Sequence, residues 1–456
     1  MAMFSYKIIL QIFLIVQSIN FIFSQIVNIE EYKFLNFNRN YRNTDSNLAD
    51  NYIVDIKGGD NSIVFIGTGK GLSKADLNYT PTQYEHFNSS NMPAGGNPSL
   101  YTGTLSSNYV GYENNTIVAV SGVQASAYIS TVSAGTGLAW SLDNGSTWNY
   151  IEQPIDIDCG DYLYDECVEQ NECSWNGDFN HCVFSNFYLD NIPMIPIVSN
   201  GYTEELYSYP IVVPEYNVIY DISVDIKNGY IYTANYYGML RRFKFYDFNS
   251  ETIVAEPVWE IVPLLKDSQD SASCGNYNET DIPFINLPVS QYGNYNHQVF
   301  SVHIEEYANN NFIWVGTAEG LNKGIIINEG QNAGCIDWEE VYSCNDCNEI
   351  EDSLQDYELG GNWIIDIISQ DIGNEFPRIW LISWVRPQAN PHRITFSDNN
   401  GNTWHKIDYF LENDINALSK NLTFDDDFLY VSTDKGLFYI DLNDDFYDSN
   451  KWSKII

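Results

Sequence analysis

The chain has 456 residues, of which 61 are acidic and 21 basic, giving a formal charge of −40. Only 18% of residues are charged, whereas 44% are hydrophobic and 15% aromatic, so the acidity reflects scarce Lys and Arg, and disorder is excluded as the global state. A surface this negative repels phosphate backbones and anionic lipid, which removes nucleic acid and acidic membranes from the expected partners.

Residues 1–24 read as a secretory signal: Lys7 supplies a positive charge, residues 8–23 form a largely apolar run, and Ser24-Gln25 offers a small residue before a polar start. That run is shorter than the roughly 20 apolar residues of a membrane span, and no later segment approaches that length. The expectation is one exported domain, residues 25–456, without a membrane span once the signal is removed. Its place is secreted, periplasmic or cell-surface. Eight cysteines in an exported chain favour disulfides over a thiolate zinc site.

A strand pattern then recurs six times. It combines a β-branched or Leu position, a bulky position, an apolar position, a mostly small position and a mostly hydroxyl position. The copies are Val64-Phe65-Ile66-Gly67-Thr68, Ile117-Val118-Ala119-Val120-Ser121, Ile231-Tyr232-Thr233-Ala234-Asn235, Ile313-Trp314-Val315-Gly316-Thr317, Ile379-Trp380-Leu381-Ile382-Ser383 and Leu429-Tyr430-Val431-Ser432-Thr433. In four copies Gly follows, then Leu or Met: Gly71-Leu72, Gly238-Met239, Gly320-Leu321 and Gly436-Leu437. This predicts a tight turn into a second strand, because Gly accepts positive φ. An apolar run precedes most copies, and an aromatic with an apolar residue three further on follows each, as in Trp259/Val262 and Trp338/Val341. Each unit therefore reads as four short strands, with no long helical periodicity anywhere. The predicted fold is all-β. A four-stranded sheet cannot bury both faces alone, and repetition around an axis gives a β-propeller of four-stranded antiparallel blades.

The motif Ile313-Trp314-Val315-Gly316-Thr317-Ala318-Glu319-Gly320-Leu321 resembles the two-component regulator propeller repeats of sensor ectodomains and exported proteins. The two units that depart by lengthening the turn carry another signature. Ser141-Leu142-Asp143-Asn144-Gly145-Ser146-Thr147-Trp148 is similar to the Asp-box, or BNR, repeat of sialidase-like and sortilin-like propellers at every defined position. Ser397-Asp398-Asn399-Asn400-Gly401-Asn402-Thr403-Trp404 fits with Asn399 in place of the acid. The roles expected of Ser141, Asp143, Gly145, Thr147, Trp148, Ser397, Asn399, Gly401, Thr403 and Trp404 are structural: polar side chains bond the hairpin's own backbone, Gly supplies the turn dihedral and Trp anchors the next strand. The resemblance likewise implies a place at the blade edge, away from an active face.

Equivalent positions Ile66, Ala119, Thr233, Val315, Leu381 and Val431 are spaced 53, 114, 82, 66 and 50 residues apart, against about 40 to 50 per propeller repeat. Six blades are expected; the 114-residue interval holds either an insertion or a degenerate seventh blade at residues 153–215. The long links at residues 88–106, 153–215, 264–296 and 342–361, and the stretched turns at 122–136 and 384–392, all emerge at one end of such blades. Long loops gathered at one end suggest a recognition surface. Cys159, Cys167, Cys173, Cys182, Cys274, Cys344 and Cys347 lie in those links, the first four making residues 153–215 a Cys-rich insertion, and the face is expected to be stapled by disulfides. Cys335, just before an outer strand, needs a partner near that strand's start or stays free. Eight cysteines leave the pairing open.

Catalytic signatures are thin. Seven arginines include none in the sialidase amino-terminal motif, the six histidines show no metal spacing, and acidic runs such as Asp425-Asp426-Asp427 lack the alternation of a calcium loop. No cofactor is expected, and Ca2+ has no motif behind it. Asp55, Asp221 and Asp366 occupy matching places and are expected to line a central channel as solvated carboxylates, or to hold a cation or water. Ligand contact is expected from Trp384, Arg386, His392 and Arg393 in one stretched turn, joined by Tyr236 and Tyr237, because aromatics and cations gather there on an otherwise anionic chain; packing within the loops is the alternative role. The expected function is non-catalytic binding of a protein or glycan through the loop-rich end. The alternatives are a secreted glycan-cleaving hydrolase of Asp-box type and a sensing ectodomain. N-glycosylation sequons occur at Asn78, Asn88, Asn114, Asn144, Asn278 and Asn421.

Overall fold

A computed structural model describes residues 53–58, 63–68, 71–76, 78, 83–87, 105–112, 115–125, 133–156, 173–176, 181–184, 195–196, 207–208, 218–236, 238–248, 250–265, 271–274, 298–344, 358–384, 393–407, 419–424, 427–433, 436–448 and 450–455. The protein is all-β, with no helix among those residues. Their strands form six four-stranded antiparallel sheets, each with its strands in sequence order except for short additions. The first sheet runs Ile53–Gly58, Ile63–Thr68, Gly71–Asp76 and Gln83–Phe87; the second Leu105–Tyr112, Asn115–Ala125, Ser133–Ser141 and Asn149–Ile151. The third contains Ile219–Asp225, Tyr230–Asn235, Met239–Lys244 and Glu260–Ile261; the fourth Val299–Tyr307, Asn310–Thr317, Gly320–Ile326 and Ile336–Tyr342. The fifth is Trp363–Gln370, Arg378–Trp384, Arg393–Ser397 and His405–Ile407, and the sixth Ser419–Phe424, Phe428–Thr433, Gly436–Asp441 and Ser453–Ile455.

The six recurring sequence patterns all fall on second strands. These strands are buried on both sides, as Ile231, Tyr232, Thr233 and Ala234 show, which explains why they read as continuous apolar runs rather than alternating ones. Sheet packs on sheet. Phe65 and Leu72 of the first share a core with Val118 and Val120 of the second, and Trp140 of the second packs with Phe243 of the third. Leu240 and Tyr232 meet Val302 and Val315 of the fourth. Trp314 and Leu321 meet Ile367 and Leu381 of the fifth, and Ile382 and Ile394 meet Val431 and Ile440 of the sixth. On the sixth sheet's other face Tyr430 and Leu437 are also buried.

Within the 153–215 interval, the described residues form two two-stranded hairpins, Cys173–Asn176 with His181–Phe184 and Ile195–Pro196 with Tyr207–Ser208. The expected stretched turn at 122–136 is mostly strand: Ala125 pairs with Ser133 past a bulge at Gly122/Val123. The link after the third sheet is not confined to one end. Ala272 forms a bridge with Trp338 on the outer strand of the fourth sheet, so residues 271–274 run down that sheet's edge.

Candidate functional site

In the first, fourth and fifth sheets the end where the second strand turns into the third is closed by the recurring hydroxyl position. Thr68 donates to the carbonyl of Gly71 at 2.8 Å, Thr317 to Gly320 at 3.0 Å and Ser383 to Arg393 at 3.3 Å. In the third sheet the turn is one residue longer, and Asn235 Nδ2 reaches the carbonyl of Met239, a residue with φ of 65° where the first and fourth sheets have Gly.

At the opposite end lie the two eight-residue motifs. The Asp143 carboxylate accepts from the Ser141 hydroxyl at 2.8 Å, the Thr147 N–H at 2.7 Å and the Thr147 hydroxyl at 2.7 Å, while Ser141 Oγ accepts from Gly145 N–H. Asn399 repeats the arrangement: Oδ1 accepts from Ser397 and from Thr403 N–H, and Nδ2 donates to the Thr403 hydroxyl. Asn400 and Gly401 both take positive φ, and a Cβ on Gly401 would lie 2.3 Å from the Tyr342 hydroxyl. Trp404 packs on Tyr342 and Trp314 of the preceding sheet, and Trp148 on Phe87. Trp148 and Trp404 thereby knit neighbouring sheets.

The first strands begin at the end from which the links emerge. There Tyr220, Phe300 and Trp363, one from each of three consecutive first strands, join Tyr236 from a turn. Ring centroids are 5.9 Å apart for Tyr220–Tyr236, 5.6 Å for Tyr236–Phe300 and 5.5 Å for Phe300–Trp363. Trp384 lies opposite Trp363 in register. Of the expected ligand residues, Trp384 and Tyr236 are thus brought together on this aromatic arc, but both are buried, Tyr236 at 3% exposure. Arg393 is equally buried and donates from Nη1 to the Gly360 carbonyl. Arg386, His392 and Tyr237 lie outside the described residues. Tyr220, Phe300 and Trp363 escaped sequence reading because each sits in the apolar run that precedes a repeat, where an aromatic reads as core.

Below the arc, the first strands of five sheets share a register shift at one place: Ile53/Asp55, Ile219/Asp221, Val299/Ser301, Ile364/Asp366 and Ser419/Asn421. The bulge re-aims the following polar side chain. Asp221 Oδ1 accepts from its neighbour Ile222 N–H, and Oδ2 reaches across to Val302 N–H of the fourth sheet at 2.9 Å. Asp366 does the same with Ile367 and, at 2.6 Å, with Leu422 of the sixth sheet. Ser301 donates to the Ile364 carbonyl, and Ser223 accepts from Ile304 N–H. These carboxylates are sheet-to-sheet clamps, a role beyond the solvated lining expected of them.

Lys57 of the first sheet stands among them, 3.9 Å from Asp55 and within electrostatic reach of Asp221 and Asp366. The Lys57 side chain keeps 32% exposure. Burial pushes Asp221 up to about 7 and Asp366 to about 6, against the pull of Lys57. Deeper along the fourth strand set, Ser369 Oγ lies 2.9 Å from His303 Nε2 and also bonds Glu305. Burial holds His303 down at about 4 and pushes Glu305 up to about 7. Among the described residues the His303 ring is hydrogen-bonded by Ser369 and not by a carboxylate.

Cys274 is bonded to Cys335, joining the descending link to the start of the fourth sheet's outer strand. Cys344 is also disulfide-bonded. Cys173 and Cys182 lie on the paired strands of one hairpin, opposite Phe184 and Trp175; Cys159, Cys167 and Cys347 lie outside the described residues. Among the described residues no group of three or more His, Cys, Asp or Glu is placed to hold a metal ion, and no helix is long and apolar enough to cross a membrane. No protein-family model matches the sequence, and no curated protein matches it.

Proposed function

We propose that the six sheets close into a six-bladed β-propeller of an exported protein, built from repeats of the two-component-regulator and Asp-box kinds, whose link-bearing end binds a protein or glycan partner without catalysis. Ring closure is supported by charge: Lys57 of the first sheet feels carboxylates of the third and fifth, which an extended row of sheets would hold apart. The burial of Tyr430 and Leu437 on the face the sixth sheet would turn toward the first points the same way.

The observation that carries the binding reading is the aromatic arc of Tyr220, Tyr236, Phe300 and Trp363 at the end where the long links emerge. Aromatic rings suit both sugar rings and protein anchors; Tyr220 is the partly exposed member, backed by the buried Tyr236, Phe300 and Trp363. The hydrolase alternative is less supported because Asp221 and Asp366 each accept backbone N–H groups with both oxygens, an arrangement that spends them on holding sheet to sheet. A glycan array and a cell-surface pull-down, run with wild type and Tyr220→Ala, test the reading. Expected is binding that Tyr220→Ala weakens at least about thirtyfold, a hot-spot-sized loss. Release of reducing sugar from a bound glycan would overturn it in favour of the hydrolase.

A further inference from the structure

Asparagine followed by glycine is prone to spontaneous deamidation, because glycine leaves its backbone nitrogen unshielded, and the sequence holds five such pairs. Three lie wholly within the described residues: Asn144-Gly145, Asn228-Gly229 and Asn400-Gly401. The first and last sit inside the two eight-residue motifs. There the glycine N–H donates to a buried serine hydroxyl, Gly145 to Ser141 Oγ at 2.8 Å and Gly401 to Ser397 Oγ at 2.9 Å. We propose that Ser141 and Ser397 guard two latent modification sites, holding Asn144 and Asn400 back from conversion to aspartate and isoaspartate for as long as each turn stays closed.

The reaction runs through the glycine nitrogen. It gives its proton to solvent base and attacks Cγ of the preceding asparagine; the new C–N bond forms as the bond to Nδ2 breaks, and Nδ2 leaves as ammonia with a proton taken from water. Water then opens the cyclic imide at either carbonyl, giving aspartate or isoaspartate. The closed turn withholds that nitrogen. Its N–H faces an oxygen that is itself fixed, since the Ser141 hydroxyl donates to Asp143 and the Ser397 hydroxyl to Asn399. Asn144 and Asn400 take φ of 58° and 57°, and their glycines 86° and 89°. Bringing nitrogen to Cγ therefore means turning a left-handed pair and stripping a buried donor of its acceptor. Asn228 is held by other means: Gly229 N–H donates to the Asp225 carbonyl at 3.0 Å, and Asn228 Nδ2 to Asp225 Oδ2 at 2.7 Å. It is the internal control. Conversion has a structural consequence, because isoaspartate inserts an extra backbone carbon into a turn whose dihedrals are fixed.

The test incubates full-length wild type, Ser141→Ala, Ser397→Ala and Thr147→Val in mildly alkaline buffer, with peptide mass spectrometry reading the amide-to-acid mass shift at the three asparagines. Urea-unfolded wild type supplies the unguarded rate. Expected is conversion of Asn144 and Asn400 at least about tenfold slower in the folded protein than in urea. Ser141→Ala should accelerate Asn144 at least about threefold, the reach of one hydrogen bond, and leave Asn400 and Asn228 unchanged; Ser397→Ala should do the converse. Thr147→Val removes the hydroxyl bond to Asp143 but not the one from Gly145 to Ser141, so it loosens the same turn and should accelerate Asn144 less than Ser141→Ala does. Equal acceleration by the two overturns the proposal, because the serine would then only hold the turn. So does an unchanged rate in Ser141→Ala, or folded wild type converting as fast as unfolded. Should an alanine variant unfold, which acceleration at Asn228 would reveal, Ser141→Cys keeps the shape with a weaker acceptor and carries the same comparison.

Discussion

Asp143 and Asn399 hold the same place in two copies of one turn, and the chain thereby contains its own substitution. Both side chains accept from a serine hydroxyl and from a threonine N–H, and both engage the threonine hydroxyl, Asp143 as acceptor and Asn399 as donor. The turn therefore needs a short planar side chain with an acceptor in the right place, more than it needs a charge. Asp143→Asn should cost less than about 1 kcal/mol, whereas Asp143→Ala, which leaves the Ser141 and Thr147 groups without their partner, should cost about 1–3 kcal/mol. Burial pushes the Asp143 carboxyl up, but bonds from Thr147, Ser141 and Ser146 together hold it below the ordinary carboxylate range. Its stabilisation is present above that range and is lost as pH falls through the folded value, so the gap between wild type and Asp143→Asn should narrow in strong acid. Denaturant midpoints of the three proteins at two pH values check both statements. The turn chemistry was legible from residue identities alone, since Ser, Asp, Gly and Thr at those spacings have few other uses. The clamps at Asp221 and Asp366 were half legible. Their recurrence was visible, but the bulge that turns each carboxylate toward the next sheet depends on pairing register, which no single strand's sequence expresses.

Second strands were readable as elements because burial on both faces makes them continuous and apolar, and the hydroxyl at their ends recurs for a geometric reason: it closes the turn onto the opposite carbonyl. The connections were less readable. Residues 271–274 look like loop, yet they add an edge to the fourth sheet through Ala272 and Trp338 and bring Cys274 to Cys335. A bridge between two residues gives no periodic signal, and pairing among eight cysteines has no local rule. The Cys274–Cys335 link spans 61 residues of sequence, for which loop-closure entropy suggests about 4 kcal/mol of stabilisation. The Cys274→Ala/Cys335→Ala double variant should lose most of that in denaturant titration. Hydrogen exchange should rise first at Ile336–Tyr342, whose edge the link covers. A variant as stable as wild type would show the cystine to be decoration on an edge already held by the Ala272–Trp338 bridge.

At the scale of the molecule, the question is whether the sixth sheet meets the first. Five consecutive sheet pairs share apolar cores, and each core draws side chains from both partners. A row of stacked sheets with free ends would leave one face of its last sheet to solvent, and a sequence cannot distinguish a row from a ring because each unit looks alike. Leu437 bears on the difference. It is buried on the sixth sheet's outer face beside Tyr430, and truncating a buried Leu to Ala costs about 2–5 kcal/mol through lost transfer energy and the cavity left behind. In a closed ring that cavity opens onto the first sheet, so Leu437→Ala should accelerate amide exchange in peptides spanning Ile63–Thr68 and Gly71–Asp76 as well as in the sixth sheet. In an open array, nearest-neighbour coupling would confine the loss to the sixth sheet and the adjoining fifth. Hydrogen-exchange mass spectrometry of the variant separates the two. Unchanged protection in the first sheet, alongside a destabilised sixth, would end the ring interpretation and with it the common axis on which Lys57 was placed.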